Sequence, residues 1–442
     1  MKANFIYSNL NPCGGGERFT LATLQAVVEM GIEVDLTTLN EPNLSKLENA
    51  FGKNLTSVMN KIRKINVLQM FDQESIDSNI TNNNYDLIIN THGDIDPYYS
   101  PKLSNTKMIT YCHYPSAKSF IENEDLIYFD YHLRINRLDS YSNISASEST
   151  VTLSPSISYE PSIYNKKTPE STTNNFEKKR RRYMKWVKET YDKMIKNSLL
   201  ITNSYYSQRA IFKTYGIDDT IVLSPPVAVN QIRNHLGFSQ PLKIPRKDRY
   251  NDILVICRIE PSKRIENAIY LAKLLKERKI DAKMIIAGSW EPFYQQYYEN
   301  LNSLITDQDL SDNITFKIDS SFDQLIELMG TSKVYFHPRE GEHFGISIVE
   351  AMSAGMVPVV PKIGGQAEFV STKYQYDSLE QASQIIGSAL GITEDERQRL
   401  SDSVIQFSET NYKRQFQLIV SKLIYDINFV QQYHFPNIPT IS

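Results

Sequence analysis

Cysteine is scarce in this sequence. Its 442 residues include only three cysteines, Cys13, Cys112 and Cys257, which lie far apart in the chain. Three scattered thiols are too few for the disulfide framework of a small secreted protein or for a zinc site held by cysteines. The cysteine content therefore favours a reducing compartment.

Long hydrophobic runs and a large excess of charge are also missing. No stretch approaches the roughly 18 apolar residues that a membrane-spanning helix needs. Residues 1–7 lead directly into a predicted strand and lack the apolar region and cleavage site of a signal peptide. The formal net charge of -3 gives the whole molecule no electrostatic preference for nucleic acid. We therefore expect a cytoplasmic protein, either soluble or peripheral on the cytoplasmic face of a membrane, with no nucleic-acid partner.

What the sequence does contain is a regular alternation of short apolar runs and helical periodicity. Strands are predicted over residues 4–7, 33–39, 86–90, 108–112, 199–202, 253–257, 283–287, 315–318, 334–337 and 357–360, with helices over 19–30 and 265–276. Such alternation predicts an α/β protein whose parallel sheets are covered by helices on both faces.

The chain is too long for one hydrophobic core, so we expect two domains. The two series of elements are separated near residues 231–252, where Pro241 and Pro245 lie among several Lys and Arg residues. The predicted domains are residues 1–235 and 236–411, followed by a helix over 412–433 with apolar residues at helical spacing.

Two neighbouring segments interrupt the first series. Residues 140–175 are rich in Ser, Thr, Asn, Pro and Tyr, which is typical of a surface insertion or of a loop that contacts an acceptor. Residues 178–187 combine six basic residues with Tyr183, Trp186 and Val187 on one helical face. Such a helix either covers the first sheet with a solvated basic end or contacts anionic membrane lipids, and one helix can do both.

Two groups of residues point to phosphate chemistry. Glycines 14–16 separate the first predicted strand from the first helix, where free N–H groups and the helix dipole favour an anion. Arg258 and Lys263 follow the strand 253–257, at the strand end where open α/β sheets bind ligands. Each group has a simpler interpretation, as a tight turn and as solvated charges respectively.

The most specific pattern is a pair of glutamates, Glu342 and Glu350, separated by seven residues. Phe344, Gly345 and Ile346 lie at the turn between them, and a helix begins near Ser347. One carboxylate can meet sugar hydroxyls and the other a ribose, while backbone N–H groups near the glycine face a phosphate. Two ordinary surface acids on a capped helix are the simpler alternative.

Together these motifs resemble glycosyltransferase family 4, whose members have the GT-B fold. Within that family, five segments are similar to the α-1,2-mannosyltransferases that extend dolichol-linked oligosaccharides from GDP-mannose: residues 14–18, 111–115, 202–204, 224–227 and 342–346. The resemblance implies two Rossmann-like domains that face each other across a cleft, the first on the acceptor side and the second binding the nucleotide sugar. It also implies a C-terminal helix that crosses back to the N-terminal domain.

The resemblance also implies roles for single residues. Gly15, Gly16 and Gly288 border the donor, as do the turn residues Phe344, Gly345 and Ile346; His113 contacts the transferred sugar; Arg258 and Lys263 hold the diphosphate; Glu342 contacts the sugar and Glu350 the ribose. For His113 the simpler alternative is a structural histidine at a strand end. An Asp-x-Asp metal motif is missing near the expected site, so we expect no metal.

The resemblance implies a retaining hexosyltransferase, and we expect it to move mannose or glucose from a GDP- or UDP-sugar to a lipid-linked glycan, as in protein glycosylation. Two departures from the family pattern, Cys257 and Arg264 where glycines are usual, leave diphosphate binding plausible, whereas the insertion leaves the acceptor open. The alternatives are a sugar-nucleotide epimerase of the same architecture and a non-catalytic protein that binds a sugar nucleotide.

Overall fold

The computed structural model describes residues 1–103, 106–125, 170–239, 248–289 and 292–425. Most of the insertion predicted over residues 140–175 lies outside these ranges. Within them, the chain forms two parallel sheets covered by helices, as the apolar alternation predicts.

The first sheet has the strand order β3-β2-β1-β4-β5-β6-β7. Its strands are β1 Lys2–Ile6, β2 Glu33–Thr38, β3 Lys64–Val67, β4 Leu87–Asn90, β5 Lys107–Tyr111, β6 Leu199–Thr202 and β7 Ile221–Val222. In β1, the residues from Ala3 to Ile6 are fully buried, because helices cover both faces of the sheet. The chain therefore reads as an apolar run here rather than as an alternating strand.

Two edge strands of this sheet were not predicted. β3 exposes three of its four residues and carries Lys64 and Asn66, so it lacks an apolar run. β7 has only two residues, both half-buried. Edge strands need less apolar surface than central strands, and their sequence signal is correspondingly weak.

The helices of the first half are α1 Gly15–Glu29, α2 Leu44–Phe51, α3 Lys53–Thr56, α4 Gln73–Asn83, α5 Ala117–Glu122, α6 Glu170–Lys196 and α7 Tyr205–Tyr215. The predicted basic helix lies within α6. Its residues Tyr183 and Val187 are buried against Ala117 and Ile121 of α5. This packing confirms that α6 covers the first domain, while its contact with a membrane stays a prediction.

The second sheet has the order β10-β9-β8-β11-β12-β13. Its strands are β8 Tyr250–Ile256, β9 Lys283–Gly288, β10 Ile314–Ile318, β11 Ser332–Phe336, β12 Val357–Pro361 and β13 Gln375–Tyr376. The helices of this half are α8 Val229–His235, α9 Ile265–Glu277, α10 Gln295–Asp307, α11 Phe322–Thr331, α12 Ile346–Ser353, α13 Leu379–Ala389 and α14 Glu394–Ser403. Every strand predicted in this half is present, and only the two-residue β13 was missed.

The segment between the sheets is partly helical. α8 buries Val229 and Ile232 in the hydrophobic core of the second sheet, although the sequence predicts a linker from residue 231. Residues 240–247, which contain both prolines of that linker, lie outside the described ranges. The domain boundary between residues 235 and 236 stays a prediction.

The last described helix, α15 Glu409–Tyr425, packs on α1 of the first domain. The hydroxyls of Tyr412 and Thr23 lie 2.7 Å apart, and Gln417 donates to the carbonyl of Ala26 at 2.9 Å. The predicted crossing of the C-terminal helix is therefore confirmed, although residues 426–433 lie outside the described ranges. No helix in the described part of the chain is long and apolar enough to cross a bilayer.

Candidate functional site

The carboxyl ends of both parallel sheets meet at one cleft. Contacts between the two domains show this directly. The hydroxyl of Ser204, after β6, donates to the carbonyl of His343 at 2.6 Å, and the ring of His343 stacks on Tyr114, after β5, with centroids 4.2 Å apart. In parallel α/β sheets this is the edge at which ligands bind. The sequence predicts the candidate residues at these strand ends, but it does not predict which ends face each other.

Glu342 and Lys263 come together in this cleft. The Oε2 atom of Glu342 lies 3.8 Å from the Nζ atom of Lys263 and 3.6 Å from Nε2 of His337. Burial alone would raise the pKa of Glu342, but the positive charge of Lys263 and the neighbouring His and Arg residues lower it to about 2. Glu342 is therefore ionised at neutral pH and can accept hydrogen bonds from sugar hydroxyls.

The loop that carries Glu342 is held by the loop after β12. Gly365 donates its backbone N–H to the carbonyl of Glu342 at 2.7 Å, and Gly341 donates to the carbonyl of Ile363 at 2.8 Å. A Cβ atom on Gly365 would lie 2.0 Å from the carbonyl oxygen of His343, so only glycine allows this approach. The close pairing fixes the direction of the Glu342 backbone.

Two residues of the turn between the two glutamates have a structural role. Gly345 has φ 98° at the N-cap of α12, a conformation that favours glycine. Phe344 is buried and packs against Phe369 and Phe407, with ring centroids 5.2 and 5.3 Å away, so its side chain belongs to the core. Ile346 faces the first domain. The sequence predicts this turn next to the donor, and its contact with the donor stays a prediction.

Glu350 lies on α12, close to residues of the first domain and of α15. Burial raises its pKa to about 7, against the effect of Arg18. Arg18 follows the glycine-rich segment, and it pairs with Glu409 of α15 at 2.9 Å. This arrangement brings Glu350 within electrostatic reach of α1, which the sequence does not indicate.

The glycine-rich segment faces α12. A Cβ atom on Gly15 would lie 3.0 Å from Cδ1 of Ile346, and one on Gly16 would lie 2.7 Å from the hydroxyl of Tyr7. Glycine at both positions allows close approach of neighbouring groups. The N-terminus of α1 is capped from within, because the Glu17 carboxylate accepts from the backbone N–H of Gly14. A bound phosphate would compete with this carboxylate for the helix N-terminus.

His113 follows β5 and lies beside the same helix. Its Nε2 atom bonds the carbonyl of Thr91 at 3.1 Å, and a carbonyl can only accept, so this nitrogen carries the proton. Its ring packs against Phe19 and Tyr111. Burial lowers the pKa of His113 to about 4, so the ring is neutral at physiological pH. Its Nδ1 atom then carries a lone pair and can accept a hydrogen bond from a hydroxyl.

Arg258 and Lys263 differ in their surroundings. The Nη1 atom of Arg258 lies 3.2 Å from Oε2 of Glu260, and its side chain is 56% exposed, whereas that of Lys263 is 19% exposed. Lys263 therefore reaches Glu342, while Arg258 pairs locally in this arrangement. Gly288 lies next to them at the end of β9, where a Cβ atom would be 1.8 Å from the carbonyl oxygen of Cys257.

Arg264 departs from the family pattern at a position that favours glycine. Its φ is 53°, in the left-handed region that most residues avoid. The backbone therefore reaches the same turn with arginine that glycine adopts more easily. This geometry explains why glycine is usual here and how the turn is kept without it.

Several residues of the cleft were missed as site residues. Glu368 accepts hydrogen bonds from the backbone N–H groups of Tyr205 and Tyr206, at 3.0 and 2.6 Å. The sequence places His337 only at the end of a strand, yet it is buried beside Glu342. Arg18 lies in the segment 14–18, where the sequence gives it no role. The contacts of Glu368 and Arg18 join residues far apart in the chain, so they leave no periodic signal in the sequence.

Among the described residues, no group of three or more His, Cys, Asp or Glu side chains is placed to hold a metal ion. The expectation of a metal-free site stays a prediction.

Comparisons with known proteins agree with this geometry. Residues 239–400 match the model of the family Glycosyl transferases group 1. The chain is 29% identical over 233 residues to the GDP-Man:Man(3)GlcNAc(2)-PP-Dol alpha-1,2-mannosyltransferase of Dictyostelium discoideum, which covers 49% of this chain and 45% of that protein. It is 28% identical over 188 residues to the enzyme of the same name from Neurospora crassa, covering 38% of this chain and 33% of that protein. The matches thus span less than half of either relative.

Solved structures show the fold. The crystal structure of Anabaena HepE in complex with UDP and glucose superimposes with a TM-score of 0.61 at 17% identity, covering 96% of this chain and 100% of that one. WaaG, a glycosyltransferase involved in lipopolysaccharide biosynthesis, superimposes with a TM-score of 0.54 at 13% identity, covering 96% and 99%. Residues 239–400 are therefore similar to the Glycosyl transferases group 1 family, and the chain has the GT-B fold that its resemblance to glycosyltransferase family 4 implies.

Proposed function

We propose that this protein is a retaining glycosyltransferase that moves a hexose from a nucleotide diphosphate sugar to a lipid-linked glycan. The observation that carries the proposal is the convergence of Lys263 and ionised Glu342 in the cleft between the domains, with Gly15 on the opposite side. A cation beside a sugar-binding carboxylate is what transfer from a diphosphate sugar requires.

The chemical problem is the negative charge that grows on the leaving diphosphate. Lys263 is a fixed cation close to where this charge forms, and Arg258 lies on the same loop, where a rotation about its side chain frees it from Glu260. Groups that are already oriented toward developing charge lower the barrier without reorganisation. In this proposal Lys263 and Arg258 hold the diphosphate of the donor.

The sugar and the ribose are bound by different glutamates. Glu342 accepts hydrogen bonds from hydroxyls of the transferred sugar because it stays ionised. Glu350 accepts a hydrogen bond from the ribose. The Nδ1 atom of His113 accepts a hydrogen bond from a hydroxyl of the transferred sugar. Retention of the anomeric configuration follows the family that the sequence resembles.

The donor is GDP-mannose in this proposal, and UDP-glucose is the alternative. The relatives from Dictyostelium and Neurospora are named for GDP-mannose and for a Man(3)GlcNAc(2)-PP-Dol acceptor. A lipid-linked acceptor lies at a membrane surface. We therefore place the protein on the cytoplasmic face of a membrane, with the exposed Arg181 and Arg182 of α6 toward anionic lipids.

The test is a transfer assay with purified protein. GDP-mannose and UDP-glucose are each supplied with and without dolichyl-diphosphate-linked Man3GlcNAc2 in detergent, and both the free nucleotide and the glycolipid product are measured. The proposal predicts nucleotide release that depends on the acceptor, with one added hexose whose anomeric coupling matches the donor.

Other outcomes would identify the alternatives. Nucleotide release or sugar isomerisation that is independent of acceptor would support an epimerase or hydrolase. Binding of GDP-mannose without any turnover would support a non-catalytic sugar-nucleotide-binding protein.

A further inference from the structure

His92 lies at the point where the strand order of the first sheet reverses. From β1 the chain builds β2 and β3 on one side, and β4 to β7 on the other, so β1 and β4 are neighbours at the switch point. Open α/β sheets bind ligands in the crevice outside the strands at this point. The glycine-rich segment follows β1 and His92 follows β4, just as His113 follows β5.

The contacts of His92 place it among the cleft residues. Its ring packs on the ring of Tyr7 with centroids 4.7 Å apart, and the hydroxyl of Tyr7 is the group that a Cβ atom on Gly16 would meet. When His92 is protonated, its positive charge lowers the pKa of His113 on the neighbouring loop. The side chain of His92 is 22% exposed, so part of the ring is accessible from outside the protein.

One ring nitrogen of His92 is fixed by the protein. Nδ1 contacts the buried carboxylate of Asp96 and lies 2.9 Å from the hydroxyl of Ser8. A carboxylate can only accept, so Nδ1 carries the proton and the neutral ring keeps a lone pair on Nε2. Among the described residues, no side chain or carbonyl bonds Nε2. Asp96 therefore orients the ring, and the lone pair on Nε2 can accept a hydrogen bond from another molecule.

We propose that His92 is an acceptor-binding residue whose Nε2 atom accepts a hydrogen bond from a hydroxyl of the incoming glycan. Asp96 is the positioning residue that holds the ring in this tautomer. The inference rests on the proposed function, because it names a group that touches the second substrate of the same reaction. The donor groups Lys263, Glu342 and Glu350 come from the other domain, whereas His92 belongs to the domain that the resemblance assigns to the acceptor.

Protonation of His92 would remove this lone pair. Asp96, Glu17 and Asp94 raise the pKa of His92 above its ordinary value, although burial opposes the charged form. His113 and Tyr7 also face it. The value of kcat/KM for the acceptor therefore falls as the pH drops through the pKa of His92. Removing the charge of Asp96 lowers that pKa and moves the fall to lower pH.

The experiment measures kcat/KM for dolichyl-diphosphate-linked Man3GlcNAc2 at saturating GDP-mannose in the full chain. His92→Phe keeps a ring and removes the acceptor, and it is expected to lower this value by on the order of 10- to 100-fold while leaving the stabilisation by GDP unchanged. Asp96→Asn is expected to shift the acid limb of the pH profile to lower pH. The matched control is His235→Phe, at an exposed ring that pairs with Glu327 at 3.0 Å, and it is expected to leave kcat/KM unchanged.

The outcomes separate the two proposals. Turnover by the wild type with an unchanged acceptor kcat/KM in His92→Phe would overturn the role of His92 alone. If His92→Phe does not fold, an unmoved pH profile in Asp96→Asn would overturn it instead. A wild type that never transfers to this acceptor would overturn the proposed function, and the role of His92 with it.

Discussion

The Oε2 atom of Glu342 lies 3.8 Å from the Nζ atom of Lys263, although 78 residues separate them in sequence. Glu342 follows β11 and Lys263 follows β8, and these two strands are neighbours in the second sheet. Parallel pairing thus brings the carboxylate and the cation to the same edge.

Replacing Glu342 with Gln keeps the shape of the side chain and removes its charge. We expect kcat to fall by about 100- to 1,000-fold, the usual cost of losing an oriented electrostatic contact in an active site. Glu340→Gln is the matched control, because Glu340 is exposed on the same loop. Steady-state transfer assays measure both variants, and a fully active Glu342→Gln protein would contradict the assignment.

Replacing Lys263 with Ala removes the cation beside the leaving diphosphate. Transfer is expected to fall by about 100-fold or more, because the charge that grows on the diphosphate loses its partner. Lys273→Ala, an exposed lysine on α9, is the control. Single-turnover rates at saturating donor separate this effect from weaker binding. Equal rates in the two variants would show that Lys263 does not meet the diphosphate.

Glu350 makes the stability of the protein depend on pH. Its pKa is raised from 4.5 to about 7, so the folded state binds more protons than the unfolded state between these values. Stability is therefore lost as the pH rises through this window. Glu350→Gln is expected to be more stable than the wild type by about 3 kcal/mol at pH 8, with no difference at pH 4.

Urea denaturation without nucleotide at the two pH values measures this difference. Glu277→Gln, at an exposed position, is the control for a loss of charge. The same Glu350→Gln variant is expected to bind GDP more weakly at pH 8, because a neutral amide oxygen replaces the carboxylate that accepts from the ribose. A stabilisation of equal size at pH 4 and pH 8 would rule out ionisation of Glu350 as its cause.

Glu368 joins the two domains by capping α7 from the second domain. Its carboxylate accepts from the N–H groups of Tyr205 and Tyr206. Glu368→Ala is expected to cost about 1 kcal/mol, the usual value for a lost cap, and to favour separation of the domains. Small-angle scattering should show a larger radius of gyration than in the exposed control Glu48→Ala. An unchanged radius and thermal midpoint would show that this contact does not hold the cleft closed.

The basic end of α6 provides a test of membrane contact. Arg181 and Arg182 are exposed, and Tyr183 between α6 and α5 is buried, so the two charges can be changed without disturbing the packing. The double variant with Gln at both positions is expected to float less with vesicles that contain phosphatidylserine, most clearly at low salt. Lys61→Gln with Lys64→Gln removes the same charge elsewhere on the surface. Equal flotation of both double variants would leave α6 with a packing role alone.

The central strands of the fold were predicted because burial on both faces produces short, continuous apolar runs. β6, Leu199–Thr202, was predicted with its observed bounds, and the N-terminus of α9 at Ile265 was also predicted. The strands β3 and β13 were missed, because a short strand at a sheet edge buries too little surface to be distinctive. α8 was missed because its seven residues span only two turns within a segment rich in polar residues.

The sequence by itself determined which residues lie at strand ends, because a run of apolar residues that stops marks the edge of a sheet. It therefore predicted Glu342, Lys263 and His113 as candidates. Only the tertiary structure decided their partners: Ser204 with His343, Arg18 near Glu350, and Asp96 with His92. The physical reason is that local periodicity reports burial of one element, whereas the facing of two domains depends on shape and charge over distant surfaces.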